Sequence, residues 1–188
     1  MTANKKRFLI VGGVAGGATA AARIRRMTED AEIILFEKGE HISYANCGLP
    51  YYIGGVIEGR DRLFVQTPEA FGKRFNIDVR TRNEVTAIDA AARKVTVRTA
   101  DGKEYSECYD KLLLSPGASP VVPPLTGIDS EGIFKRRNVS DPDRSTRYMN
   151  DPQVRRAVLV GGGVIGLEMA ENLKHAGAQV AVVEMANQ

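Results

Sequence analysis

One of the two cysteines in this 188-residue chain stands in a setting that could do redox chemistry. Cys47 lies in HISYANCGLPYYIGG (residues 41–55), between Asn46 and Gly48, with Pro50 and a glycine pair close behind. If Asn46 caps a short helix, Cys47 is its first residue, and the positive end of the helix dipole stabilises a thiolate there. Pro50 is tolerated in the first turn, and Gly54–Gly55 end the helix. Gly48 is a poor helix former, so packing must hold this turn together. The reading without chemistry is a small buried cysteine, because free cysteine packs as a small hydrophobe. No second cysteine lies within five residues of Cys47, which excludes a local dithiol. A redox role then runs through a mixed disulfide, a persulfide or a sulfenic acid. Cys108, far along the chain on a predicted strand edge, reads as structural. His41 and His175 lack metal-ligand spacing, so no metal site is expected. His175 reads as the end of a helix before Gly177.

Two further stretches share one plan. FLIV (8–11) leads into GGVAGGATAAARIRR, and EIILFE follows at 32–37. AVLV (157–160) leads into GGGVIGLEMAENLKHAG, and QVAVVE follows at 179–184. Each reads as strand, glycine turn, amphipathic helix and strand, ending in an acid. Glycines let a backbone turn tightly and approach a pyrophosphate, and the helix start offers it unpaired N–H groups. An acid at the tip of the second strand accepts from a ribose hydroxyl.

The second copy has an unbroken GxGxxG in Gly161, Gly163 and Gly166, with Glu184 as its acid. The register of the first is Gly12, Val14 and Gly17, with Glu37 as its acid. Valine replaces its middle glycine, while Gly13 and Gly16 keep the loop flexible. A single motif could be a glycine-rich turn without a ligand; two copies in this context point to nucleotides. An acid at the strand tip favours NAD(H) over NADP(H) in the second site.

The elements that must position these residues follow from the remaining chain. TPEAFGKRF (67–75) reads as a helix with Thr67 as N-cap and Pro68 at the first helical position. NEVTAIDA (83–90) and KVTVRTA (94–100) alternate as strands. DGKEYSECYD reads as a turn into KLLLSPGASP, a buried strand ending in a glycine loop. Residues 116–152 hold six of the eight prolines, which marks a linker, with a helix expected over 141–149 behind Asp141 and Pro142. The predicted division is 1–120, a linker at 121–152, and a second unit from 153–188. A dinucleotide fold needs further strands to cover that second sheet, so this unit reads as a fragment. It is expected to expose an apolar helix stripe including Ile165, Leu167 and Leu173.

Composition fits a soluble globular protein, with 43% hydrophobic and 26% charged residues. The net charge of +3 is mild and the basic residues form no long run, so nucleic acid is not expected. Two cysteines cannot build a disulfide framework, and a cytoplasmic setting is expected. The apolar start is broken by glycines and by Arg23, unlike a secretory leader. No run is long enough to span a bilayer, so no membrane association is expected.

These residues together resemble the pyridine nucleotide–disulfide oxidoreductases, in their single-cysteine branch of coenzyme A-disulfide reductases and NADH-dependent persulfide or polysulfide reductases. VGGVAGGATAAARIRR, ISYANCGLPYYIGG, LLLSPGASP and VLVGGGVIGLEMAENL carry the resemblance, which covers nearly the whole chain as an amino-terminal part. The implied fold is α/β: an FAD-binding Rossmann-like domain with an inserted antiparallel β-meander, then the first βαβ unit of an NAD-binding Rossmann-like domain. The resemblance implies FAD at Gly12, Ala15, Gly16, Gly17, Glu37, Lys38, Asn46, Val85, Ser115, Pro116, Gly117 and Ala118. It implies NAD(H) at Gly161, Gly163, Gly166 and Glu184, with Glu168 towards the nicotinamide.

It also implies coenzyme A, as substrate or bound ligand, at Thr19, Arg23, Arg26, Ser43 and Asn46. Arg23 and Arg26 are three apart on one helix face, which suits phosphate; either alone reads equally as a solvated charge. The implied activity is NADH-driven reduction of coenzyme A disulfide, persulfide or polysulfide through Cys47, in a homodimer when full length. NADH oxidases and peroxidases of the same group have a histidine where this chain has Ala15, and favour Ser-Cys where it has Asn46-Cys47. Both departures argue against peroxide chemistry through a cysteine sulfenic acid. A non-catalytic nucleotide-binding fragment is the alternative of another class.

Overall fold

The runs RFLIV and EIILFE lack polar alternation, as strands covered on both faces do. In the computed structural model, which describes residues 5–134, 148, 151 and 154–187, they become neighbouring parallel strands. Strand β1 (Arg7–Val11) pairs in parallel with β2 (Glu32–Glu37), placing Leu9 opposite Ile34. Two more parallel strands, β3 (Asp78–Thr81) and β7 (Lys111–Leu114), complete the order β3-β2-β1-β7. Successive side chains point to opposite faces of this sheet. Ile10, Ile33 and Leu35 meet Ala18, Ala21 and Ala22 of helix α1 (Ala15–Met27), with Phe71 of α3 (Pro68–Phe75). Leu9, Ile34 and Phe36 turn the other way and pack on Val95 and Val97.

Val95 and Val97 belong to the middle strand of an antiparallel meander: β4 (Asn83–Asp89), β5 (Lys94–Thr99) and β6 (Glu104–Cys108). The meander and the parallel sheet are also tied by charge. Arg80 on β3 donates to Glu107 at 2.7 Å and to the Tyr105 hydroxyl at 3.2 Å, and Arg7 on β1 reaches Glu107 at 2.8 Å. Arg25 closes the foot of α1: it donates to the carbonyls of Phe75 and Asn76, and also to those of Thr28 and Glu29.

Several local expectations hold. The Thr67 hydroxyl accepts the Ala70 N–H at 3.2 Å and so caps α3. Helix α2 (Leu49–Ile53) ends at Gly54. Others are corrected. DGKEYSECYD is not only a turn; its middle, Glu104–Cys108, is strand β6, whose polar residues alternate at a sheet edge. Strand β3 gave no apolar signal beyond Val79, since its stability comes from pairing with β2. Strand β7 is only half-buried, with Leu114 56% exposed, because among the described residues it pairs with β1 alone. The helix expected over 141–149 lies outside the described residues, Tyr148 excepted.

The chain divides into two compact units, Met1–Tyr44 with Phe64–Gly117, and Ala45–Leu63 with Ala118–Gln188. The Cys47 segment therefore groups with the second unit. That unit holds the parallel pair β8 (Arg156–Val160) and β9 (Gln179–Val183), with α4 (Val164–His175) between them in sequence. Met169 and Leu173 of α4 form a core with Ala178 and with Ile53 of α2. Leu173 is thus buried, contrary to the expected exposed stripe, because α2 covers it. Ile165 and Leu167 are exposed as expected, at 71% and 57%. Val158, Val160 and Val183 are exposed as well. No helix among the described residues is long and apolar enough to cross a membrane.

Candidate functional site: two glycine cradles and a cysteine turn

The first cradle is built by backbone contact that only glycine permits. Gly12 has φ +98°, and its N–H donates to the Phe36 carbonyl at 2.8 Å. A Cβ on Gly17 would sit 1.7 Å from the Gly12 carbonyl oxygen, and one on Gly12 would sit 1.9 Å from that of Ser115. Gly16 faces the Ser115 hydroxyl in the same way, with 2.5 Å for an added Cβ. The loop at Ser115, Pro116 and Gly117 thus lies directly against the glycine turn. Glu37 reaches back from the end of β2: its carboxylate accepts from the N–H of Gly13 at 2.8 Å and of Gly39 at 2.7 Å. Ser43 joins the same loop through backbone, donating to the Gly13 carbonyl at 2.9 Å. Helix α1 starts at Ala15 with neither a side-chain cap nor an acid in its first turn. Its first N–H groups remain available to an anion.

The second cradle repeats the first. Gly161 has φ +110° and donates to the Val183 carbonyl at 2.9 Å. A Cβ on Gly166 would lie 2.0 Å from the Gly161 carbonyl oxygen. Glu184 accepts the Gly162 N–H at 2.7 Å, and those of Met185 and Ala186 at 2.7 and 2.9 Å. The bonds from Ala186, Gly162 and Met185 hold its carboxyl below the usual carboxylate range. An added Cβ on Gly161 has no heavy atom within 4 Å, so this turn has open space where its counterpart Gly12 meets Ser115, and Gly163, the N-cap of α4, is equally open.

The cysteine turn departs from the expected capped helix. Asn46–Gly48 forms a 3₁₀ turn, and α2 begins only at Leu49. Asn46 is within that turn and makes no side-chain cap, because the residue preceding the turn is Ala45. Packing holds the turn as expected of Gly48: a Cβ there would be 3.1 Å from Leu63 and 3.3 Å from Ile57. The Ala45 N–H donates to the Leu63 carbonyl at 2.8 Å, closing the base of the segment. Cys47 is exposed and free, which sets aside the buried-cysteine reading. Cys108 is exposed too, as the last residue of β6, so it does not serve the core.

The remaining candidates fall in different places. Thr19, Arg23 and Arg26 lie on one exposed face of α1, and Arg25 beside them is engaged at its foot. Lys38, Asn46 and Ala118 are exposed. Val85 packs on the core under the meander. Sequence reasoning missed Tyr51, whose phenol Glu168 pushes above the ordinary tyrosine value, and Asn172, a buried amide that donates to the Glu168 carbonyl at 2.8 Å. Neither carried a signal, since Asn172 is buried where the end of α2 meets α4, two segments distant in the chain. Among the described residues no cluster of histidine, cysteine or acid could hold a metal ion.

Two glycine-only turns, each with open helix N–H groups and a strand-tip acid, fit two dinucleotide pyrophosphates with their riboses. The sequence pattern described as pyridine nucleotide-disulphide oxidoreductase matches residues 6–188. The chain belongs to this family. Among solved family structures, reduced CoADR-RHD of Bacillus anthracis superposes with a TM-score of 0.94 at 50% identity. That match covers 99% of this chain and 34% of the other. A coenzyme A disulfide reductase of Staphylococcus haemolyticus is 42% identical over 95% of this chain and 40% of its own length. An NADH oxidase of Methanocaldococcus jannaschii is 39% identical over 97% of this chain and 41% of its own length. The chain therefore spans about two-fifths of the curated relatives it matches.

Proposed function

We propose that the protein, when full length, is an FAD-dependent oxidoreductase that uses NADH to reduce coenzyme A disulfide, persulfide or polysulfide through Cys47. The observation that carries this reading is an exposed, unpaired thiol held in a packed turn, in a chain that also has two dinucleotide cradles. FAD would be held by Gly12, Ala15, Gly16, Gly17, Glu37, Lys38, Asn46, Val85 and the Ser115–Ala118 loop. NAD(H) would be held by Gly161, Gly163, Gly166 and Glu184, with Glu168 towards the nicotinamide. Bound FAD supplies acceptance of a hydride from NADH and delivery of the electron pair to sulfur.

The chain's own chemistry is at Cys47. Its thiolate attacks one sulfur of the substrate, forming a Cys47 mixed disulfide, or a persulfide, and expelling the other sulfur as a thiolate. Two electrons from NADH, with a proton, then cleave that bond and restore the Cys47 thiolate. For a disulfide the sum is NADH, one proton and the disulfide giving NAD⁺ and two thiols. Thr19, Arg23 and Arg26, on one face of α1, offer charge and hydrogen bonds to the phosphates of a coenzyme A group, with Ser43 and Asn46 as further contacts. A reducing, cytoplasmic setting and a homodimer belong to the same proposal.

The Methanocaldococcus relative favours a second reading, an NADH oxidase acting through a Cys47 sulfenic acid. Substitution of Cys47 by serine in the full-length protein tests the main reading. It should abolish NADH-driven reduction of coenzyme A disulfide and persulfide while FAD loading is unchanged. Reduction at the wild-type rate would overturn the assignment, and NADH consumption with oxygen as the preferred acceptor would move it to the oxidase.

A further inference from the structure

Arg82, between β3 and β4, holds a backbone conformation that favours glycine. Its φ is +56°, in the left-handed region where an L side chain crowds its own backbone. A residue stays there only when its surroundings hold it, and Arg82 is held on both sides. The pairing of β2 with β3 ends at Glu37 opposite Thr81, one residue before it. The Arg82 N–H then donates to the Gly39 carbonyl at 2.9 Å. Its guanidinium reaches Glu40 at 3.0 Å, but these side chains are 60% and 61% exposed, so the ion pair contributes little. On the other side, the Asn83 amide donates to the Thr81 carbonyl at 2.8 Å and so spans Arg82. The Asn83 oxygen accepts the Tyr105 hydroxyl at 2.8 Å, and Arg80 donates to that hydroxyl at 3.2 Å.

We propose that Arg82 is a positioning residue: its left-handed backbone presents the N–H that fixes the Glu37–Glu40 turn, and so places the strand-tip carboxylate for the adenosine end of FAD. The proposal rests on the assignment of the first cradle to FAD made above. Gly39 is the link. Its N–H donates to one oxygen of Glu37 at 2.7 Å, while its carbonyl accepts from Arg82. The other oxygen of Glu37 accepts the Gly13 N–H at 2.8 Å. One hydrogen-bonded chain thus runs from the glycine turn through Glu37 and Gly39 to Arg82. Lys38 lies inside the turn and is carried with it. On the far side β4 starts at Asn83, and Val85 is its third residue. The FAD contacts proposed on the two sides, Glu37 with Lys38 and Val85, are therefore joined at Arg82. An extended backbone at Arg82 would turn its N–H away from Gly39 and leave the turn that holds Glu37 without this restraint.

The test uses the full-length protein stripped of FAD, with rebinding of FAD read by flavin fluorescence. Arg82→Gly keeps the N–H and adopts the left-handed backbone freely, so it should bind FAD within about twofold of the wild type. Arg82→Val keeps the N–H but resists a positive φ, and should raise the Kd for FAD roughly tenfold. The affinity of the same proteins for NADH should not move, which a general loss of fold would not allow. Equal FAD affinity in Arg82→Val and the wild type would overturn the proposal. So would a loss in Arg82→Gly as large as in Arg82→Val, which would give the effect to the guanidinium charge. Where Arg82→Val folds poorly or loses NADH as well, hydrogen exchange in the wild type decides. The Gly39 and Arg82 amides should exchange slowly and slow further when FAD is added. Amides that exchange freely, or that ignore FAD, would overturn the proposal. A wild type that takes up no FAD would overturn the assignment of the first cradle and this proposal with it. That outcome is distinct from a wild type that binds FAD and a valine variant that binds it equally well.

Discussion

The carboxylate of Glu184 accepts the backbone N–H of Gly162 at 2.7 Å. An equivalent bond of 2.8 Å joins Glu37 to Gly13 in the first cradle. In each cradle the strand-tip acid and the glycine turn are one hydrogen-bonded unit, so the charge that would meet a ribose is placed by the turn that would meet the pyrophosphate.

This placement predicts nucleotide choice and an acid limit at the second cradle. A carboxylate at Glu184 repels a 2′-phosphate, so kcat/KM of the full-length protein should be clearly higher for NADH than for NADPH. Preference for NADPH would contradict the assignment. The carboxyl of Glu184 is depressed in the folded state by the N–H groups of Ala186, Gly162 and Met185. Its contribution is therefore complete above the unfolded value of about 4.3 and is lost as pH falls through the lower folded value. NADH binding, read by equilibrium titration, should weaken over that acid window in the wild type and stay flatter in Glu184→Gln.

Two glycines of the cradles should respond differently to the same added methyl group. Gly17→Ala would place a Cβ 1.7 Å from the Gly12 carbonyl oxygen, so the first turn must open. Loss of FAD and a lowered Tm are expected. Gly163→Ala meets no heavy atom within 4 Å and should leave the fold within ~0.5 kcal/mol of the wild type. Nucleotide binding should still fall, because the methyl group occupies the approach of the pyrophosphate to the backbone. Unchanged NADH affinity in Gly163→Ala would remove that glycine from the site.

The three arginines at the end of α1 should separate into two roles. Arg25 donates to the carbonyls of Thr28, Glu29, Phe75 and Asn76, so Arg25→Ala should destabilise the fold by about 2 kcal/mol in denaturant titrations. Arg23→Ala with Arg26→Ala should leave stability nearly unchanged. It should weaken substrates bearing coenzyme A more than small polysulfides, since each guanidinium bond to phosphate contributes ~1.5–3 kcal/mol. Equal losses for both substrate types would return Arg23 and Arg26 to a solvated face.

Both βαβ units were legible in the chain itself, down to the glycines and the acids that close them. Their requirements are local: a positive φ at Gly12 and Gly161, a strand of apolar residues, and a helix starting within a few positions. The Thr67 cap was legible for the same reason, since donor and acceptor are three residues apart. What only the tertiary structure decided depends on distant partners. Strand β3 exists because β2 offers it an edge, and Leu173 is buried because α2 covers it. Asn46 does not cap, because its segment is closed by Leu63 and enters α2 through a 3₁₀ turn. Arg25 differs from Arg23 and Arg26 because the chain brings Phe75 and Asn76 to its guanidinium. The approach of α2 to α4 at Gly54 and Asn172 likewise follows from helix packing, for which sequence spacing carries no signal. Backbone constraints within one turn are written in neighbouring residues, whereas burial and side-chain partners are set by which surfaces the folded chain brings into contact.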